Sequence, residues 1–327
     1  MKDKRFYSIL ILLVIIQGSL FAQDPVALSD EPGAWSYGYL NDANTKMYGQ
    51  NFGMTPKEMA DFKVKMDNLV EVLHHNPVMA NPRGFDAAVE SRPIYPADFK
   101  KHTENYGYIG EINFRLPTWF ESKGRKYKQT IEPPRTTVYF NNISILRHSA
   151  FNVVPVGNDS RASDKVNDIC RPMVIKELAP GVILYDYAIV FTNPGKQLYL
   201  PCTVGEAYSR LMAYYEQAAK AEPLYAMFLD PLKEEYPRLT PGQLSSPAYF
   251  GGSTGITYEK TPDPLMLFNN DFFNRSMPKT AVQAIVFPIN ADYFRNPSDF
   301  YPTDVGFLRI YQFLHSLDTN AISEVLD

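Results

Sequence analysis

Apolar positions recur every three and four residues most clearly in MTPKEMADFKVKMDNLVEVLHHNP, residues 54–77. Met59, Phe62, Met66, Leu69, Val70 and Leu73 fall on one stripe of an α-helix. Both ends of that helix are also encoded. Thr55 stands at the N-cap, Pro56 at the first helical position, and Glu58 three residues after the cap completes a capping box. Met54 and Met59 occupy the positions of a hydrophobic staple, and Pro77 stops the repeat. The spacing predicts a helix over 56–75. A second stretch opens in the same grammar, with Thr203 and Glu206 as the capping pair, and predicts a helix over 204–220. Phe307, Ile310, Tyr311 and Leu314 share one face and predict a third over 304–316. A short capped turn begins at Thr240, and a last short helix is expected in DTNAISEVLD, residues 318–327.

Elsewhere the helical repeat is absent and β-branched and aromatic residues dominate. Strands are predicted within residues 84–94, 106–116, 136–146, 173–178, 182–191, 197–201, 256–260, 264–269 and 280–289. Polar Gly-containing stretches separate them, among them ESKGRKYK at 121–128, which reads as a turn. Residues 23–53 read as a loop-like N-terminal arm. Residues 156–168, VGNDSRASDKVND, hold few apolar positions and read as a surface loop, the best place for a mobile segment or an internal boundary. Strands follow strands through short turns instead of alternating with helices. That order predicts an α+β fold, mainly antiparallel sheet with a few packed amphipathic helices, in one domain from residue 23 to 327.

The first 22 residues break this pattern. Lys2, Lys4 and Arg5 precede the apolar run FYSILILLVII, and a small-residue site follows at Ala22, the layout of a signal peptide. The run is interrupted by Gln17 and Gly18, too soon for a membrane span of about 20 residues. No later segment approaches spanning length. The expectation is an exported chain, periplasmic or extracellular, with no stable membrane span after cleavage. Loss of the segment removes three positive side chains and one negative one, taking the formal charge from −4 to −6. An acidic chain without a basic patch has no electrostatic reason to bind nucleic acid.

Candidate chemistry is sparse. Cys170 and Cys202 are the only cysteines. In an oxidising compartment the leading expectation is that they bond. The loop would enclose 31 residues, a closure credited with about 3–4 kcal/mol. Cys202 also directly precedes the capping box, where it would be either a buried thiol or, at a helix N-terminus, a nucleophile. GGSTG at 251–255 matches the G-x-S-x-G nucleophile motif with Ser253 at its centre, and Asp292, Asp299, Asp304 and His315 follow downstream. The residues after Ser253 are strand-like and contain Pro262 and Pro264, whereas that motif needs a helix there. His74 and His75 are adjacent and would point about 100° apart on a helix. No metal-ligand spacing, phosphate loop or cofactor motif is present. Tyr106, Tyr108, Trp119 and Phe120 cluster in a strand-rich stretch, either as core packing or as a face for stacking on a sugar. The reading is an exported soluble protein with a binding or structural role, its ligand a glycan or a peptide. The alternative is a secreted hydrolase using Ser253 or Cys202.

Overall fold

The computed structural model describes residues 25–40, 54–94, 106–129, 131–149, 151–152, 169–289 and 305–327. The expected signal peptide at 1–22 and the loop at 156–168 lie outside these residues. In chain order the main elements are β1 (Val26–Ala27), β2 (Trp35–Tyr39), α1 (Pro56–His74), β3 (Ala87–Ile94), β4 (Ile109–Arg115), β5 (Trp119–Ser122), β6 (Arg125–Lys128), β7 (Arg135–Phe140), β8 (Phe151–Asn152) and β9 (Ile169–Arg171). They continue with β10 (Val174–Ala179), β11 (Val182–Tyr185), β12 (Ala188–Thr192), β13 (Tyr199–Pro201), α2 (Val204–Ala221), α3 (Ala226–Glu235), β14 (Met266–Phe268), β15 (Ala284–Pro288), α4 (Val305–His315) and α5 (Thr319–Ser323). Helices and antiparallel-rich sheets together make this an α+β fold. No helix among the described residues is long and apolar enough to cross a membrane.

Eight strands form the central sheet in the order β10-β11-β12-β15-β7-β4-β3-β2. Every pairing is antiparallel except that of the edge strand β2 with β3. Alternation along the strands gives the sheet two apolar faces. Val89, Ile112, Phe114, Val138, Phe140, Ile189, Phe191, Ile285 and Phe287 share a first core with α1, α4 and α5. Tyr185, Ala188, Val190, Ala284 and Val286 face the other way, against Ile143, Leu146, Phe268, Phe272 and Phe273. The small sheet β13-β14-β9-β8 lies beyond that second core. Cys170, Tyr199 and Phe268 join the second core, while Ile169, Leu265 and Cys202 belong to a third, built around α2 and α3. β1, β5 and β6 form a separate three-stranded sheet.

The helix starts behave as their sequences require. Thr55 Oγ1 accepts from Glu58 N at 3.2 Å and Glu58 Oε2 accepts from Thr55 N at 2.8 Å. The same reciprocal pair forms at Thr203 and Glu206, at 3.2 and 2.9 Å. Thr203→Ala should cost about 1 kcal/mol, read as a lower urea midpoint at unchanged slope. The Thr203 backbone N–H, followed by its hydroxyl, holds the Glu206 carboxyl below the usual carboxylate range. A depressed folded pKa means stability that is present above the unfolded carboxylate pKa, about 4.3, and is lost as pH falls through the folded value. The stability gap between the native chain and Glu206→Gln should therefore be flat above about pH 5 and shrink below pH 4. A gap that widens on acidification would contradict the pairing.

Several sequence expectations change. The arm at 23–53 contains β2, which pairs in parallel with β3 from Trp35↔Ala87 to Tyr39↔Ser91. ESKGRKYK is a hairpin with strands on both sides. Positive φ at Lys123 (54°) and Gly124 (69°) makes the tight two-residue turn that joins antiparallel strands. The strand predicted at 136–146 ends at Phe140, and residues Ser144–Ser149 form a helical turn. The single strand expected at 182–191 folds back on itself at Asp186 and Tyr187, pairing Leu184 with Ile189. ITYEK contributes only a bridge between Thr257 and Tyr249. Helix α3 has no counterpart in the prediction, because Pro223 and Pro231 flank and interrupt a sequence that is apolar on more than one side.

Candidate functional site

Cys202 sits where its sequence placed it, immediately before α2, in surroundings that favour the neutral thiol. The thiol is buried and donates to the Thr203 carbonyl at 3.4 Å. Burial pushes its pKa up to about 12, Glu206 adding to the rise and Arg210 opposing it. An activated thiolate needs the opposite shift. The expected disulfide is corrected as well: Cys170 and Cys202 are both free thiols, and both are buried. Strand β14 lies between them. Pro201 pairs with Met266, and Met266 pairs with Cys170. Two interstrand spacings separate such positions by about 10 Å, beyond the roughly 7 Å that a disulfide can bridge. Without reductant, a thiol reagent should find no reactive cysteine in the native protein and two in the unfolded one. A titration of zero after unfolding would restore the disulfide.

Ser253 lies at an exposed position in a loop closed by Tyr249 and Thr257, whose backbones exchange hydrogen bonds of 2.8 and 2.9 Å. Gly252 and Gly255 take positive φ, 71° and 81°, to make that turn. No helix follows the serine, so the strand, turn and helix of a nucleophile elbow are not formed. The Ser253 hydroxyl donates to Glu235 Oε2 at 3.3 Å. His315 ends α4, a helix of the first core, with its ring 4.1 Å from that of Tyr311. Burial, then Lys176, lowers its pKa. The loop of Ser253 covers the third core, where Thr254 bonds the buried Tyr208 at 2.9 Å. Serine and histidine thus belong to different cores. Asp292, Asp299 and Asp304 lie outside the described residues. Among the described residues no group of His, Cys, Asp and Glu could hold a metal ion. His74 instead stacks on Trp35, ring centres 4.4 Å apart.

The four aromatic residues of the 106–120 stretch do not share a surface. Tyr108 is buried against Phe62, and burial, aided by the Glu58 carboxylate, raises its pKa to about 12. Tyr106 donates its hydroxyl to the Met277 carbonyl at 2.8 Å and lies under the Arg275 guanidinium. Trp119 donates its indole N–H to Asp86 at 3.3 Å, with Lys128 over its ring. Phe120 follows on the opposite face of β5, stacked on Tyr127. Strand alternation therefore divides the platform that a linear reading suggests.

An aromatic assembly reaches the surface at the tip of the α2–α3 hairpin. Helix α2 buries Val204, Ala207, Tyr208, Leu211, Tyr214 and Tyr215, and a single turn at Pro223–Tyr225 reverses the chain into α3. Leu229 and Leu232 of α3 close the seam against α2. Tyr214, Tyr215, Tyr225 and Phe228 then form a continuous ring cluster, with Tyr214 and Tyr215 at 5.1 Å and Tyr215 and Phe228 stacked at 5.5 Å. On the outer side of the Pro223–Tyr225 turn and of α3, Leu224 in the turn and Met227 and Phe228 in the helix are 63, 59 and 39 % exposed, and Pro231 is exposed after them. These positions follow the spacing i, i+3, i+4, i+7, an apolar stripe that starts in the turn and continues along a helix that already buries another face. Pro231 also has no N–H to donate to the Met227 carbonyl, four residues earlier.

Charges frame this stripe. Glu216, Glu222, Asp230 and Glu234 are exposed around it with Lys220 and Lys233, which leaves two negative charges in excess. Lys233 is paired with Glu216 at 2.9 Å. The signal in the sequence was PLYAMFLDPL, whose apolar residues are too many for one buried face. The other exposed apolar run, Met173, Val174, Ile175 and Leu178, lies along the edge strand β10. Two register irregularities and the charged pair Lys176 and Glu177 mark that edge as one protected from further pairing. Comparison with protein-family models, with curated proteins and with solved structures finds no match to this chain.

Proposed function

We propose that the protein is an exported binding protein that engages a protein partner through the tip of the α2–α3 hairpin. One observation carries this reading: Leu224 of the turn and Met227 and Phe228 of α3 are exposed side by side, on a helix whose inner face is already packed. These side chains are part-exposed, so a partner that covered each one would gain a fraction of the roughly 1.5–3 kcal/mol of full burial. Contiguous patches of this kind mark docking sites, and aromatic residues and Met are the types enriched in interface centres. A protein segment suits the patch better than a glycan does. A sugar stacks flat on an aromatic ring, whereas three of the stripe's four side chains, Leu224, Met227 and Pro231, are aliphatic. Export rests on the layout of residues 1–22.

A photo-cross-linking amino acid at position 227, introduced into the full chain in its native host, should yield a discrete protein adduct in the exported fraction. The same group at exposed Lys123, on the β5–β6 turn, should yield none. Equal labelling from both positions, or recovery of the chain with residues 1–22 intact in the cytoplasm, would refute the reading.

A further inference from the structure

We infer that the segment received by the hairpin tip is an amphipathic helix whose apolar stripe is flanked by Lys or Arg. This inference rests on the docking reading above and gives the partner its chemistry. The outer stripe runs from Leu224 in the turn to Pro231 in α3, a length of about 10 Å. Ridges with i, i+3, i+4 and i+7 spacing accept a second helix lying along them. Tyr215, stacked behind Phe228, and Tyr225, tilted against both rings, support the stripe from the α2 side. Met227 is unbranched and adapts its shape to what covers it.

The rim selects among occupants. Glu222 stands at the start of the stripe, Asp230 and Glu234 at its far end, and Glu216 on the α2 side. Lys233 and Glu216 neutralise each other, and the remaining carboxylates Glu222, Asp230 and Glu234 outnumber the exposed Lys220. A second copy of this chain would bring the same excess of carboxylates against this one. An anionic lipid surface would be repelled by both the rim and the net charge of −4. A helix with basic flanks is attracted to both ends of the stripe, which raises its association rate and fixes its register.

The test uses the full chain and three synthetic 18-residue peptides that share one apolar i, i+3, i+4, i+7 stripe and differ only in flanks of Lys, Gln or Glu. At low salt the Lys-flanked peptide should bind at least about tenfold tighter than the Glu-flanked one, and the gap should narrow at 0.5 M salt as the Debye length falls to about 4–5 Å. Met227→Asp should weaken the Lys-flanked peptide by about tenfold or more. The double change Glu222→Lys with Asp230→Lys should reverse the flank preference while keeping the stripe. Circular dichroism of each variant separates lost binding from lost folding. If Lys- and Glu-flanked peptides bind equally and Met227→Asp abolishes both, the basic partner is refuted and the docking surface stands. If no peptide binds, or Met227→Asp changes nothing, both readings fail. Sedimentation of the chain with phosphatidylglycerol vesicles, or as a dimer, that is lost in Met227→Asp would overturn the inference in favour of a lipid surface or a second copy.

Discussion

Asn141→Ala is expected to lower the unfolding free energy by about 4–6 kcal/mol, several buried hydrogen bonds at about 1–3 kcal/mol each with partial relaxation. Asn141 ends β7 with no solvent exposure and a φ of 54°, a conformation that asparagine tolerates better than most residues. Its side-chain NH2 donates to the Tyr108 carbonyl at 3.1 Å and to the Ala281 carbonyl at 2.7 Å. Its carbonyl oxygen accepts from Gln283 N at 2.8 Å and Ala284 N at 3.2 Å. One side chain therefore satisfies four backbone groups from two other chain segments, at the point where both enter the central sheet. Removing it leaves those groups buried and unpaired, which costs more than the net value of the bonds. Asn141→Gly relieves the backbone but restores none of the four bonds. It should recover only about 1 kcal/mol relative to Ala. Urea unfolding of both variants measures this, and an Ala variant within about 1 kcal/mol of the native chain would show that the network contributes little.

Phe62→Ala is expected to cost about 3–5 kcal/mol, the range for a fully buried aromatic ring. Phe62 is 1 % exposed and meets Tyr108 and Phe140 edge-on, each at 6.1 Å. It joins α1 to the sheet at the place where β4 carries Gly110. A Cβ on Gly110 would stand 2.7 Å from Met66 Sδ and 3.2 Å from Phe62 Cε1. The helix thus rests on bare backbone, and Gly110→Ala should overpack the site by about 1–3 kcal/mol. Because both changes act on one gap, Gly110→Ala with Phe62→Leu should cost less than the two separately, by at least about 0.5 kcal/mol. Strict additivity would mean that the ring and the glycine do not share the contact.

How much of this was legible in the sequence depended on how far apart the deciding atoms lie along the chain. The start of α1 at Thr55 and of α2 at Thr203 involves residues within four positions of each other, so the capping boxes appear as written. β-Branched and aromatic runs likewise marked the regions of β3, β4, β7, β12 and β15, to within one residue at Arg135 and Thr192. The hairpin ESKGRKYK was missed because its polar strands read as a turn, and only its pairing to β1 and its positive φ values reveal it. The fate of Tyr106, Tyr108, Trp119 and Phe120 was illegible for a different reason. Adjacent residues of a strand face opposite sides, and which side meets a core depends on elements far away.

The candidate site shows the same division. Leu224, Met227, Phe228, Leu229 and Leu232 are all apolar, and nothing local tells the inner pair from the outer three. That distinction appears only when α2 covers one side of α3 and nothing among the described residues covers the other to the same degree. Cysteine spacing suggested a bond, and an intervening strand, β14, separates the two thiols. Sequence alone determined where the capped helices begin and that antiparallel strands dominate, because capping and strand-forming runs are set by near neighbours. Tertiary structure decided which apolar stripes are buried and which meet solvent, because burial is a property of surfaces brought together from distant parts of the chain.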